Sequence, residues 1–242
     1  MSWGITRVTP QQFIRQITLL VEKEFDFLTV SDYLRDTKEQ TRRVAITFDD
    51  GYESVFLHAR PVLKNYNIPA TVFVNPEFIG QFNGWDVNLG GQRFRHMNWR
   101  QIEALHKNGW EIGSHGMRHR DLTRLSNDKL ERELAFSARL IKRRIGDCSS
   151  VLSYPFGNTD ARVQRCATNL GFDFGLSMGM QPKDVSLQYA VQRSGVYLFD
   201  SLSSFRLKVY NKCHFYFGFV QRVLDKCSDL TVIVKQNKWQ ID

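Results

Sequence analysis

The sequence of 242 residues predicts an α/β fold in which parallel strands form a barrel. Three observations indicate this fold. Short apolar, β-branched runs alternate with amphipathic helical segments along the chain. Polar residues that could bind a ligand or a metal ion follow directly after several of these runs. Parallel α/β folds bind ligands at this position, the carboxyl ends of their strands. No repeat, low-complexity tract or linker divides the chain, so we expect a single domain over residues 1–242.

The helices are predicted from caps and from apolar spacing. Thr9 is a suitable N-cap and Pro10 fits the first helical position of the first helix. Gly146 and Gly171 each follow the last residue of a helical segment, where glycine is common. The residues of the first helix expected to face the core are Phe13, Ile14, Ile17, Leu20 and Val21. Further helices are predicted at residues 31–34, 53–65, 98–107, 126–145, 160–170 and 201–210.

The strands are predicted from short runs of β-branched and aromatic residues. One begins at Trp110 and runs into a loop, and a polar, charged linker at residues 36–43 leads into another. The remaining strands are predicted at residues 27–30, 44–48, 70–74, 151–154, 174–177 and 189–192.

Composition limits the possible partners and compartment. The formal net charge is +8, which favours anionic partners, but the basic residues are dispersed and carry no nucleic-acid-binding motif. Nucleic acid is therefore not an expected partner. No apolar run approaches the roughly 20 residues of a membrane span. Residues 1–5 lack the features of a secretory signal, so we expect a cytoplasmic protein, although a chain trimmed of its export signal would look the same.

Cysteine usage points to free thiols. The four cysteines are widely spaced and contain no C-x-x-C pair, which argues against a disulfide framework and against a cysteine zinc site. They are Cys148, Cys166, Cys213 and Cys227.

Two adjacent carboxylates end the strand at residues 44–48. Asp49 and Asp50 would point to opposite sides of a continued strand, so they can share a site only if the strand stops there. Gly51 permits that stop. Desolvating two acids at the end of a buried strand is costly unless a metal or another partner offsets it. An ordinary turn with solvated aspartates is an equally good interpretation of these residues alone.

Two histidines, four residues apart, follow the strand that begins at Trp110. His115 and His119 could present imidazoles to one metal ion. Together with one carboxylate they would bind a divalent ion and leave positions open for water and substrate. The signal becomes specific because the aspartate pair and the histidine pair occur in the same chain.

The chain resembles the polysaccharide deacetylase family, the NodB-homology domain of carbohydrate esterase family 4. The resemblance lies in Thr-Phe-Asp-Asp-Gly-Tyr at residues 47–52, in His115-x-x-x-His119 and in Tyr-Pro-Phe-Gly at residues 154–157, in matching order and spacing. It extends from roughly Phe13 to at least Arg193 and fades over residues 194–242. It implies a distorted (β/α)7 barrel.

The resemblance also implies roles for the aspartate pair and the histidine pair. Asp50, His115 and His119 would hold a divalent metal ion, with zinc as the expected ion. Such an ion with an open position lowers the pKa of bound water towards ~7 and polarises a carbonyl oxygen. Asp49, beside the ligands, would be the general base.

Further site residues are candidates on the same basis. The backbone N–H of Phe156 would donate to the oxyanion, a role that any residue type can fill. Tyr154 is a candidate for the acyl pocket, with packing as the alternative. The loop at residues 75–95 is long enough to be functional, and its Trp85 and Asp86 are candidates for sugar contact, against packing in a surface loop.

The chain departs from the family pattern at two places. Ser153 stands where many members carry an arginine that tethers the base aspartate. Arg193, at the end of a late strand, resembles a late arginine of some relatives and is the candidate replacement, with a surface salt bridge as the alternative. The family's last motif, Leu-x-x-His, supplies the general acid and has no match. His214 is the only downstream histidine, and its apolar surroundings indicate packing.

These expectations converge on a metal-dependent hydrolase that removes an N-acyl group, acetyl or formyl, from an amino sugar or oligosaccharide of a surface polysaccharide. A phosphate-bearing sugar would suit the positive charge. The alternatives are a glycan-binding relative that has lost catalysis and a C–N hydrolase acting on a small non-sugar amide. The intact Asp49 favours hydrolysis, because binding alone needs no base beside a metal. The sequence does not specify an oligomeric state.

Overall fold

The computed structural model describes residues 8–36, 42–83, 93–178 and 186–210. The helices of these residues are α1 Pro10–Glu22, α2 Val30–Arg35, α3 Arg60–Asn65, α4 Trp99–Lys107, α5 Asn127–Ile145, α6 Ala161–Asn169 and α7 Leu202–Val209. The strands are β1 Asp26–Leu28, β2 Arg43–Ala45, β3 Thr47–Phe48, β4 Thr71–Val74, β5 Glu111–Ser114, β6 Val151–Ser153, β7 Phe174–Ser177 and β8 Val191–Gln192.

The strands form a parallel sheet in chain order. β3 to β8 pair successively, each strand parallel to the next, and β1 pairs in parallel with β2. Only Ile46 separates β2 from β3, so one interrupted strand joins the two sheets. Within the described ranges no ladder returns from β8 to β1, and the sheet is a curled half-barrel. The predicted α/β fold with seven parallel strand positions in one distorted barrel is confirmed.

The N-terminal helix shows how local signals and packing combine. The Thr9 side chain accepts a hydrogen bond from the backbone N–H of Gln12, and the Gln12 side chain accepts one from the backbone N–H of Thr9, so the predicted start is a capping box. Ile17 and Leu20 are buried as predicted. The expectation that Ile14 faces the core is wrong, because its side chain is 44% exposed. The buried face is centred between Ile17 and Leu20, and Ile14 lies beyond its edge.

The helix predicted at residues 53–65 is not regular. A π-helical segment, Val55–Ala59, precedes α3. Pro61 lacks the N–H that would continue the α-helical hydrogen bonds to the previous turn, and π-helical turns commonly occur where that ladder is broken.

The hydrophobic core lies on both sides of the sheet. β4 is buried along its whole length. One large cluster packs the sheet against the helices that follow β3, β4 and β5, and a second lies between β6, α5 and α6. A smaller cluster containing Phe73, Val151 and Leu176 joins neighbouring strands. The sheet is therefore packed on both faces, and this packing positions the ends of its strands.

The structure also bears on membrane spans and on the cysteines. No helix of the described segments combines the length and the apolar character needed to cross a membrane. Cys148 and Cys166 are free thiols, as predicted, and burial raises the pKa of the Cys148 thiol to about 12. Cys213 and Cys227 lie outside the described residues.

Candidate active site

The strand that carries the aspartate pair stops where the sequence predicts. β3 ends at Phe48, and Asp50 and Gly51 then adopt left-handed conformations with φ of 66° and 63°. A side chain at Gly51 would also place its Cβ 2.8 Å from a methyl group of Val74, so the position requires glycine for two reasons. This turn lets both carboxylates lie at the same end of the sheet.

The histidine pair follows β5, which is separated from β3 by β4 in the sheet. Nδ1 of His115 lies 2.7 Å from the carbonyl oxygen of Ser153. A carbonyl only accepts hydrogen bonds, so Nδ1 carries the proton and Nε2 keeps its lone pair. Burial lowers the pKa of His115, and burial together with the neighbouring His115 lowers the pKa of His119 well below its usual value. Both imidazoles are thus neutral, as metal ligands must be.

The three predicted ligand residues meet at one point. Oδ1 of Asp50 lies 3.7 Å from Nε2 of His115 and 3.4 Å from Nε2 of His119. One donor atom from each residue lies within 4.8 Å of the others. Ligands on tetrahedral zinc at 2.0–2.1 Å would be about 3.3 Å apart. Donor chemistry and spacing therefore fit a divalent metal ion.

Asp49 lies beside this group and is held by other residues. Arg193 donates to both of its carboxylate oxygens, at 2.9 Å to Oδ1 and 2.7 Å to Oδ2. The Ser153 hydroxyl donates to Oδ1 at 3.1 Å. Burial raises the pKa of the Asp49 carboxyl, but the Arg193 guanidinium and these hydrogen bonds outweigh burial and hold that pKa well below its usual range. Asp49 is therefore ionised.

The tether predicted from Arg193 is present. Its guanidinium also donates to the Thr47 hydroxyl at 3.2 Å and to the Ser153 hydroxyl at 2.9 Å. The side chain is only 14% exposed, so the alternative of a surface salt bridge does not describe it. Ser153, which stands in place of the family's arginine, is itself part of the network that holds Asp49.

The Tyr-Pro-Phe-Gly segment forms a tight turn at the end of β6. Pro155–Gly157 is a 3-10 turn whose closing hydrogen bonds are donated by Gly157 and Asn158, so the N–H of Phe156 does not close it. The Phe156 ring packs edge-on against His119 at 4.6 Å between centroids. Its role as the oxyanion donor stays a prediction.

Backbone strain is concentrated at this site. The described residues other than glycine with positive φ are Glu24, Asp50, Asn67, His119 and Phe156. Three of these five are predicted site residues. Such conformations cost of order 1–3 kcal/mol each and persist only where the surroundings impose them, typically at functional sites.

The other predicted substrate residues are Tyr154, Trp85 and Asp86. Tyr154 has no exposed surface and packs with Leu152 and Phe172 in the second core cluster, so the structure supports the packing alternative. Trp85, Asp86 and His214 lie outside the described residues, and their predicted roles remain predictions.

Sequence reasoning missed three supporting residues. The Asn75 side chain donates to the carbonyl oxygens of His115 and, at 3.2 Å, of Gly116. His96 contacts the backbone of Asp50 through Nδ1 at 2.7 Å. Glu133 on α5 accepts the backbone N–H of Arg118, between the two histidines. Asn75 directly follows β4, so its position at a strand end was a signal in the sequence that it could support the site. The sequence around His96 and Glu133 carries no such signal.

Glu133→Ala is expected to destabilise the fold by about 1–3 kcal/mol, because the Arg118 N–H would lose its buried acceptor. Burial raises the pKa of the Glu133 carboxyl, so the charge itself is not favoured there. Glu133→Gln, which keeps an acceptor, should therefore cost less. Urea unfolding of both variants tests this, with Glu131→Ala on the exposed face of α5 as the control. Equal losses for the Ala and Gln variants would contradict it.

Arg193→Gln is expected to lower stability at pH 7 by about 1.5–3 kcal/mol, the range for hydrogen bonds to a charged group. The folded pKa of Asp49 lies below its unfolded value of about 3.9, so this stabilisation is complete above that pH and is lost as the pH falls towards the folded pKa. The variant should therefore lose less stability than wild type on acidification from pH 7 to pH 3.

Urea unfolding at the two pH values measures this difference. Arg35→Gln is a matched control, because the Arg35–Asp173 pair is as short, at 2.6 Å, but about half exposed. Such exposed pairs contribute only about 0–1 kcal/mol. An Arg193→Gln variant no less stable at pH 7 than Arg35→Gln would show that the pair does not stabilise Asp49.

The fold and site together define an α/β half-barrel with a candidate metal centre at the carboxyl ends of its strands. The polysaccharide deacetylase family model matches residues 36–175. The chain belongs to this family.

Individual relatives cover most of the chain. It is 27% identical over 198 residues to the Bacillus subtilis (strain 168) protein YxkH, covering 79% of this chain and 66% of that protein. It is 25% identical over 183 residues to a Staphylococcus aureus (strain MRSA252) poly-beta-1,6-N-acetyl-D-glucosamine N-deacetylase, covering 71% of this chain and 61% of that one. The chain thus spans just under two thirds of the length of these relatives.

Solved structures show the same fold. The Streptococcus pyogenes deacetylase PplD, in complex with acetate, superposes with a TM-score of 0.73 at 18% identity, covering 86% of this chain and 89% of that one. IcaB from Ammonifex degensii superposes with a TM-score of 0.65 at 21% identity, covering 85% and 90%.

Proposed function

We propose that the protein is a metal-dependent hydrolase that removes an N-acyl group, acetyl or formyl, from an amino sugar of a surface glycan. The observation that carries this proposal is the ionised Asp49, clamped by Arg193, beside the Asp50–His115–His119 group. Family membership supports carbohydrate deacetylation. The name of the staphylococcal relative supports an N-acetylated amino-sugar polymer as the substrate class.

Asp50, His115 and His119 would hold the ion, which we propose is zinc. When bound by two imidazoles and one carboxylate, such an ion lowers the pKa of water and polarises the substrate carbonyl. His115 donates its Nδ1 proton to the carbonyl oxygen of Ser153, which fixes the ring with the Nε2 lone pair towards the ligand position.

Asp49 accepts the proton of the attacking water. Its Oδ1 receives two hydrogen bonds from the protein, whereas Oδ2 receives one, from Arg193. A carboxylate oxygen has two lone pairs, so Oδ2 retains one for the proton of the water. Arg193 and Ser153 fix the orientation of the carboxylate, which proton transfer requires.

The other chain groups stabilise the reacting carbonyl. The N–H of Phe156, held in a strained turn beside His119, donates to the oxygen as negative charge develops on it. Asp49 then returns its proton to the departing amine as the C–N bond breaks. Water thus supplies its hydroxyl to the acyl carbon and its proton to the amine, and one carboxyl group serves both steps.

Release of acetate or formate from a panel of substrates tests the function. The zinc-loaded protein would be offered β-1,6- and β-1,4-linked N-acetylglucosamine oligomers, an N-formyl amino sugar, a phosphate-bearing N-acetyl sugar and acetamide, with metal-depleted protein as the control. We expect equimolar acyl acid and free amine from at least one amino sugar. Binding of the oligomers without release would favour a glycan-binding protein. Release from acetamide alone would favour a small-amide hydrolase.

A further inference from the structure

The backbone of Asp50 needs support from outside its own strand. The ladder of β3 ends at Phe48, which pairs with Val72 of β4. Asp50 follows two residues later, beyond the paired residues of β3, in a left-handed conformation with φ of 66°. A metal ligand on such a turn is well placed only if neighbouring groups fix the turn.

The His96 side chain contacts this turn. It is 1% exposed, and its Nδ1 lies 2.7 Å from the backbone carbonyl oxygen of Asp50. Because that oxygen only accepts, Nδ1 carries the proton and donates it. The His96 ring lies against the rings of Tyr52 and Phe78, at 4.7 and 5.9 Å between centroids. These contacts set the orientation of the imidazole.

The segment around His96 is itself tied to the aspartate turn. The backbone N–H of Met97 donates to the carbonyl of Gly51 at 2.9 Å, and the N–H of Glu53 donates to the carbonyl of Arg95 at 2.8 Å. These bonds lie on both sides of His96 in the chain. They place its imidazole beside Asp50 with little freedom to move away.

We propose that His96 is a positioning residue that holds the backbone of Asp50, and through it the orientation of the Asp50 carboxylate towards the metal ion. This inference rests on the metal site of the proposed function. His96 acts through a hydrogen bond to the chain and not as a ligand. Removing such outer hydrogen bonds typically weakens metal binding by about 10–100-fold.

A pair of substitutions separates the hydrogen bond from the bulk of the ring. The side-chain nitrogen of asparagine lies near the position of histidine Nδ1, whereas that of glutamine lies near Nε2. His96→Asn should therefore keep the donor to Asp50, and His96→Gln should lose it. A role in packing alone would instead favour the larger glutamine.

Zinc affinity measured by competition with a chromophoric chelator, without substrate, provides the test. We expect zinc to bind His96→Gln about 10–100-fold more weakly than wild type and His96→Asn within about threefold of wild type. Thermal unfolding of the metal-free proteins should show comparable losses for both variants. His106→Gln on α4 is the control and should bind zinc like wild type.

Two results would overturn the proposal. One is wild-type zinc affinity in His96→Gln. The other is an equal weakening of zinc binding in both variants together with equal losses of metal-free stability, which would show a packing role alone.

A wild type that binds no zinc would contradict both this inference and the proposed function. A wild type that binds zinc but releases no acyl group would overturn the proposed activity, and the affinity difference between the variants would still decide the role of His96.

Discussion

Asp49→Asn is expected to lower turnover by about 10²–10⁴-fold, the range that a general base supplies, while zinc content stays near the wild-type value. Asparagine has nearly the shape of aspartate and keeps one acceptor oxygen for Arg193 or Ser153, but it cannot take a proton from water. Zinc content should persist, because Asp49 is bonded to Arg193 and Ser153 and the candidate ligand group is formed by other residues.

Single-turnover rates and metal analysis of the purified variant measure these two quantities. Asp173→Asn is the control, because Asp173 also pairs with an arginine but is half exposed and lies on β7's amino-terminal side. Its rate should match wild type. A loss of less than threefold in Asp49→Asn would reject the role of general base. Loss of zinc together with activity would instead make Asp49 a metal ligand.

His119→Ala is expected to lower zinc affinity by more than the roughly 100-fold that loss of an outer hydrogen bond causes, because a direct ligand is removed. Activity should fall with the zinc content. The backbone of His119 has a φ of 53°, so alanine keeps the left-handed geometry at some cost in stability. His119→Asn, a residue type that tolerates this conformation better, provides a second variant with the imidazole removed.

Anomalous diffraction at the zinc edge locates the ion directly. Wild-type crystals should show one peak between Asp50, His115 and His119, with metal–nitrogen distances of about 2.0–2.1 Å. Crystals of either His119 variant soaked at the same zinc concentration should show a much weaker peak. A full peak in the variants, or a wild-type peak elsewhere, would contradict the assignment of the ligands.

The parts of this site that the sequence predicts correctly are those with a local pattern. An apolar run that stops at two acids and a glycine predicts a strand end, and it occurs at Phe48–Gly51 as expected. Two histidines after another such run predict a second strand end, and parallel strands carry both to one edge of the sheet. The helices show the same dependence, since caps and glycines mark their ends within the chain itself.

The parts that could not be predicted depend on contacts between distant residues. Arg193 and Asp49 lie 144 residues apart, and only the family resemblance indicated their pairing. Ser153 suggested a lost tether, whereas it completes the network around Asp49. His96 has no pattern around it that distinguishes it from a core histidine. Tyr154 packs into the core, because a side chain following a strand end can point into the core as readily as into a cleft.

The central claim is that acyl removal depends on one ion at the Asp50–His115–His119 group. The most direct test is to titrate zinc into metal-free protein while following acyl release from the best substrate of the panel. The rate should rise in proportion to added zinc, level off at about one zinc per chain, and be negligible without metal. A metal-free protein that releases the acyl group as fast as the zinc-loaded protein would contradict the claim.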